Sequence, residues 1–291
     1  MKFIREASDL HLDFDISLFS QTRTIDRSQP QTIKDEMDML WVPPSMDGDL
    51  DTTFIVAGDI WTDRRFATRK FPGTSATWIS QMSRRFKYVV LVLGNHDYWG
   101  TNLNTEPGKV KAAIAAQGLT NVFLLERDVL VLDQVKFVGG TLWTNYNNGN
   151  PMIAYQSTVY MNDYKYMRTG PSYRKVRPDD LLQIFQETKN FIFENATRDD
   201  PEQKLVVVTH MAPSEQSVDT MYREARHFDT NYFYFSDLER EIEANGQIDL
   251  YFHGHMHSSK RYKIGDTEVI LNPRGYNDEN PLFDERLRIE L

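Results

Sequence analysis

Short apolar runs recur along the chain, and most of them close on a glycine or a polar cluster. Phe54–Ala57, Tyr88–Leu93, Leu205–Val208 and Leu250–Phe252 are apolar throughout, with lengths that fit buried strands. A weaker run, Phe3-Ile4, is followed by Arg5-Glu6-Ala7. Elsewhere the period is helical. Trp78, Ile79, Met82 and Phe86 share one face of a helix that follows Pro72-Gly73 and that Thr74 can cap. Pro107 and Gly118 bracket a second helix, with Val110 and Ile114 inward. Pro178 starts a third, whose stripe is Leu181, Ile184, Phe185, Thr188, Phe191 and Ile192. Ser236-Asp237-Leu238-Glu239 reads as a capping box for a fourth, closed by Gly246. Further strands are expected at Val122–Leu125, Val129–Leu132, Lys136–Val138, Arg261–Ile264, Val269–Leu271 and Leu287–Leu291, with a turn at Gly265-Asp266. Strands alternating with helices, plus hairpins, predict an α/β protein: two sheets packed face to face, with helices outside.

The 291 residues are 40% hydrophobic, enough for a sizeable core, and the expectation is one domain over 1–291. Insertions are expected near 14–50, which is polar and turn-rich, and near 144–177. No apolar run approaches the ~18 residues of a membrane span, and charges interrupt the region a signal peptide would need. A cytoplasmic protein, in a bacterium or a phage-infected host cell, is the default expectation. The absence of cysteine excludes disulfides and thiolate metal sites. A net charge of −9 gives no long-range attraction to nucleic acid or an anionic membrane, which disfavours an enzyme tracking long DNA.

The polar clusters that close the runs carry the chemistry. They are Asp9-Leu10-His11, Gly58-Asp59, Gly94-Asn95-His96-Asp97, Thr209-His210 and Gly254-His255-Met256-His257. Carboxyl ends of neighbouring strands in an α/β sheet converge on one crevice, so residues far apart in sequence are expected to meet. Imidazole, carboxylate and amide donors without sulfur suit Mn²⁺, Fe or Zn²⁺. Two such ions can activate a water and stabilise both oxygens of an in-line displacement at phosphorus. His253, one residue before the last cluster, reads as a core or supporting histidine, and His227, in a polar stretch, as an exposed one.

In these residues the chain resembles the calcineurin-like metallophosphoesterase superfamily, whose pattern is D-x-H, G-D, G-N-H-[DE], H and G-H-x-H. The resemblance runs from Asp9 to His257. It implies a four-layer α/β/β/α sandwich of two mixed β-sheets flanked by helices. It also implies that Asp9, His11 and His257 hold one metal, that Asn95, His210 and His255 hold the other, and that Asp59 bridges them. His96 would face the scissile group as general acid or phosphate-binding cation, and Asp97 would orient it. The cofactors implied are two divalent ions, Mn²⁺ first, with Fe, Zn²⁺ or Ni²⁺ as alternatives. Protein serine/threonine phosphatases of the superfamily carry G-D-x-V-D-R-G and G-N-H-E and lack G-H-x-H. The strings Gly58-Asp59-Ile60-Trp61-Thr62-Asp63-Arg64 and Gly94-Asn95-His96-Asp97, with Gly254-His255-Met256-His257, look more like the bacterial and phage phosphodiesterase-like branch.

The expected function is hydrolysis of a small, nucleotide-like phosphodiester. The alternatives are a phosphomonoesterase, including a phosphoprotein phosphatase, a nuclease, or a scaffold of the same fold without activity. Two features bear on the substrate and leave alternatives open. Residues 146–177 hold Tyr146, Tyr155, Tyr160, Tyr164, Tyr166 and Tyr173 among Lys165, Arg168, Arg174, Lys175 and Arg177. They read as a base-stacking cap or as an ordinary insertion packed on the body. Arg274, after a strand and before Gly275, reads as a phosphate-holding guanidinium or as a salt bridge at the strand end.

Overall fold

The computed structural model describes residues 1–15, 38–61, 74–224, 228–276 and 279–291. Most of the first expected insertion (residues 16–37), His227 and the side chain of Thr74 lie outside the described part. One sheet has the order β13 (Ile289–Glu290), β1 (Phe3–Ala7), β2 (Thr52–Ala57), β3 (Tyr88–Val92), β4 (Val122–Leu124). The other has the order β11 (Lys260–Ile264), β12 (Thr267–Leu271), β10 (Leu250–Phe252), β9 (Lys204–Thr209), β6 (Val135–Gly140), β5 (Asp128–Leu132). Strands β1 to β4 run parallel, with β13 antiparallel at the edge. Strands β12, β10, β9 and β6 run parallel between antiparallel edges β11 and β5.

Alternation along the strands builds two cores. Ile55 and Ala57 of β2, Val90 and Val92 of β3, Val206 and Val208 of β9, and Phe252 of β10 pack between the sheets. The intervening Phe54, Val56, Val89, Leu91, Leu205 and Val207 face outward onto helices. Thr74–Arg85 and Glu106–Ala116 cover the first sheet, and Pro178–Asn195 and Glu239–Asn245 the second. The layering is therefore α/β/β/α. Strands covered on both faces are apolar at nearly every position, which is why these runs are continuous in the sequence.

The weaker run before Asp9 forms strand β1 through Arg5, Glu6 and Ala7. Arg5 can be buried because its guanidinium donates to Asp49 and to the carbonyls of Pro44 and Glu285. Two local expectations, the capping box at Ser236 and the extent of the last strand, are corrected. The capping box at Ser236 does not form. The helix begins at Glu239, Leu238 occupies its N-cap, and the Ser236 hydroxyl accepts the Asn145 N–H at 2.9 Å instead. The last strand is shorter than expected, Ile289–Glu290.

The second insertion is structured. It forms helices Pro151–Tyr160 and Asp163–Tyr166 and a ribbon of β7 (Arg168–Thr169) with β8 (Arg174–Lys175). Backbone bonds clamp it to the segment after Asn95: Gly100 N–H to Tyr166 (3.0 Å), Leu103 N–H to Arg168 (2.9 Å) and Arg168 N–H to Thr101 (3.0 Å). Among the described residues no helix is long and apolar enough to cross a membrane.

Candidate metal centre

The five clusters follow the carboxyl ends of five parallel strands, β1, β2, β3, β9 and β10, and meet in one place. Asp9, His11 and His257 form one donor group, and Asp59, His210 and His255 another, with one atom of each residue within 4.8 Å of the others in its group. Asp59 lies between the groups: Oδ1 is 3.5 Å from His210 Nε2, and Oδ2 is 3.9 Å from His11 Nε2. Asn95 joins the second group, its Oδ1 3.0 Å from His210 Nε2. His96 also comes within ligand range of His11 and Asp59.

The backbone is bent to achieve this. Asp9, His11, Asp59, His255 and His257 all have left-handed φ, between 43° and 71°. That conformation costs of order 1–3 kcal/mol per non-glycine residue, and it persists only where surroundings enforce it. Here the loops zip together: Asp9 N–H bonds Gly58, His11 N–H bonds Asp59, Gly254 N–H bonds His210, and Gly275 N–H bonds Asp9. The motif glycines follow from the same crowding. A Cβ on Gly254 would lie 2.6 Å from Asp9 Oδ2, and one on Gly58 or Gly94 would collide with His210 or Asp59.

The donor set fits cations. His11 Nε2 and His257 Nε2 face each other at 3.3 Å, with Asp9 Oδ1 3.3 Å from His257 Nε2. His255 Nε2 is buried without a hydrogen-bond partner. Neighbouring acceptors fix the ring orientations. His210 Nδ1 meets the Ala57 carbonyl at 2.9 Å, which leaves Nε2 for the centre. His257 Nδ1 meets Glu279 Oε2 at 2.6 Å, a partner that nothing in the sequence pattern marked.

Without ions, protons balance the buried carboxylates. Burial lowers the His257 pKa, but bonds to Asp9 and Glu279 outweigh it and raise the pKa to about 10. For His210, the charge of Asp59 likewise overcomes burial and raises the pKa to about 9. Burial holds His11 and His255 down to about 3 each. His210 and His257 are therefore protonated at pH 7, and a cation must displace those protons. Filling the metal-depleted protein at pH 7 should release about two protons per chain. The apparent affinity should rise with pH until these histidines deprotonate, from about 9 to about 10. Calorimetry in buffers of differing ionisation enthalpy measures the release, and none detected would mean both histidines start neutral.

His96 lies at the cleft above this centre. Its ring stacks on Trp99 (3.8 Å, 23°), and Nε2 is 3.3 Å from the Tyr276 hydroxyl. Tyr276 in turn stacks on His11 at 4.2 Å. The resemblance puts Asp97 beside His96, but here its carboxyl turns back over its own loop. It accepts the N–H groups of Gly94 (2.8 Å) and Trp61 (2.9 Å), joining the Gly58-Asp59 loop to the Gly94–Asp97 loop. Burial, then the Asp59 charge, pushes Asp97 up to about 8. Arg274 donates through both terminal nitrogens to Asp15, at 2.8 and 3.1 Å, and to the Leu10 carbonyl, which is the salt-bridge arrangement. His253 is buried, with its nitrogens against Ser217 Oγ and the Gly254 carbonyl.

Asp163, from the second insertion, is the main residue the sequence did not flag. Its buried Oδ1 accepts from Asn95 Nδ2 (2.9 Å) and Trp99 Nε1 (2.7 Å). One carboxylate thus turns the Asn95 carbonyl toward His210 and holds the indole under His96. Asp163→Ala should lower activity or metal affinity by about 10–100-fold, the usual loss for a partner that orients a ligand. Asp163→Asn keeps an acceptor and should lose less. Equal losses from the two variants, measured by kinetics and metal titration, would contradict the orienting role.

Residues 6–259 match the model of the calcineurin-like phosphoesterases. The chain belongs to that family. It is a metal-dependent phosphoric ester hydrolase. It is 22% identical over 303 residues to the uncharacterized protein L509 of Acanthamoeba polyphaga mimivirus, covering all of this chain and 97% of that one. In fold it is similar to a phosphopantetheinyl hydrolase of Mycobacterium tuberculosis, with a TM-score of 0.60 and 17% identity over 95% of this chain and 90% of that one.

Proposed function

We propose that this chain hydrolyses a small phosphodiester at a binuclear centre. Asp9, His11 and His257 would hold one ion, Asn95, His210 and His255 the other, and Asp59 both. The observation that carries this reading is the meeting of two donor groups at one buried carboxylate, Asp59. The sulfur-free Asp/His/Asn set favours Mn²⁺, with Fe, Zn²⁺ or Ni²⁺ as alternatives. When bound, the ions would activate water and neutralise the phosphoryl oxygens.

The remaining work belongs to side chains. Hydrolysis forms one P–O bond from water, breaks the P–O bond to the leaving group, and ends with a proton on the leaving oxygen. His96, beside Tyr276 and backed by Trp99, is the group positioned to deliver that proton. Asn95, its amide fixed by Asp163, presents its carbonyl oxygen to the centre. The diester choice rests on the G-N-H-D and G-H-M-H strings and on the net charge of −9, which disfavours long DNA. Initial rates with Mn²⁺ on nucleotide diesters, cyclic nucleotides, monoesters and DNA test it. A small diester should be turned over fastest. Faster turnover of a monoester than of every diester tested, or of DNA than of every small diester, would replace the small-diester reading and leave the metal centre standing.

A further inference from the structure

A cleft of about 800 Å³ opens above Asp59, Asn95, His96, His255 and His257. That volume suits a small organic ligand, whose natural range is roughly 300–1,000 Å³. Beyond the centre its walls are aromatic and aliphatic: Tyr160 and Met161 from the 144–177 segment, Met221, Tyr222, Tyr234 and Leu282. Four of these are large side chains left unusually open, with exposures of 68% for Tyr160, 65% for Met221, 55% for Tyr222 and 66% for Leu282. Apolar side chains grouped at the mouth of one cleft, rather than scattered singly, mark a surface that a ligand covers.

Charge narrows the ligand further. Asp219 lines the same cleft, as do Asp163, buried against Asn95 and Trp99, and Glu279, bonded to His257, and no lysine or arginine does among the described residues. Asp219 is fixed there as the cap of the turn Thr220–Arg223, accepting the Met221 N–H at 2.9 Å. The metal centre would supply the positive field for one phosphate. A second phosphate away from the centre would meet Asp219 and apolar surface, with its desolvation uncompensated.

We infer that this wall binds the organic group of the substrate, and that this group is uncharged and aromatic or apolar, with the scissile phosphate the only one in the molecule. The inference rests on the phosphodiesterase reading and specifies its substrate. A nucleobase and an aliphatic chain share this chemistry, and the assay separates them.

The test compares kcat/KM on the ion-loaded full chain for four p-nitrophenyl diesters. Their second substituents are methyl, octyl, thymidine-5′-yl, and thymidine-5′-yl bearing a 3′-phosphate. The octyl or the thymidine ester should exceed the methyl ester by about 10-fold or more, and the better of the two identifies the group as aliphatic or base-like. The added 3′-phosphate should lower kcat/KM by about 10-fold or more. Tyr160→Ala combined with Tyr222→Ala should bring the ratio of the preferred ester to the methyl ester close to one. Equal values for the methyl and larger esters in the unmodified protein would overturn the inference, and so would improvement by the 3′-phosphate. Either outcome leaves the phosphodiesterase reading intact. No turnover of any diester would sink both.

Discussion

His96→Ala is expected to lower turnover by roughly 10²–10⁴-fold while leaving two ions per chain. The ring stacks on Trp99 at the cleft and reaches Tyr276, so its loss removes the proposed proton donor from the reacting side. One contact of this residue with the centre is through the backbone: the His96 N–H donates to Asp59 Oδ1 at 2.8 Å, and alanine keeps that bond. The loss should shrink for p-nitrophenolate, a leaving group that needs little protonation. An equal loss for good and poor leaving groups would leave His96 as an electrostatic stabiliser without proton donation. Loss of an ion would make it a ligand, a role its approach to His11 and Asp59 allows.

Asp59→Asn is expected to weaken both ions together, by about 10²-fold or more each, and to abolish most activity with them. A ligand should matter at least as much as the outer partners that typically contribute 10–100-fold. The carboxylate is buried, and its two oxygens face different groups, His210 on one side and His11 on the other. Asparagine has the same shape and can still accept the His96 N–H, so the change is confined to charge and to one oxygen. Titrations that show one affinity falling and the other unchanged would assign Asp59 to a single site.

The parts of the molecule legible in the sequence share a physical reason. Strands covered on both faces are apolar at nearly every position, so Phe54–Ala57 and Leu205–Val208 stand out unaided. Donors at the ends of parallel strands appear as motifs because each sits within a few residues of its strand. What stayed hidden depends on partners distant in sequence. Strand β1 reads as a weak run because its buried Arg5 depends on Asp49 and two carbonyls distant in sequence. Ser236 left its capping box for Asn145, 91 residues away. Asp163 and Glu279 support Asn95 and His257 across 68 and 22 residues, with no local pattern to mark them. The tyrosines of the 144–177 segment do not share one environment. Tyr146 and Tyr164 are buried with their hydroxyls 2.6 Å apart, whereas Tyr160 lines the cleft. Of the segment's cations, Arg174 is engaged by Asp180 and Arg168 by nearby carbonyls.

Metal stoichiometry tests the central claim most directly. The protein is stripped with a chelator, titrated with Mn²⁺, and followed by elemental analysis and diester turnover together. Two ions per chain should bind, and activity should appear with the second. Saturation at one ion per chain with activity already full would contradict the binuclear centre.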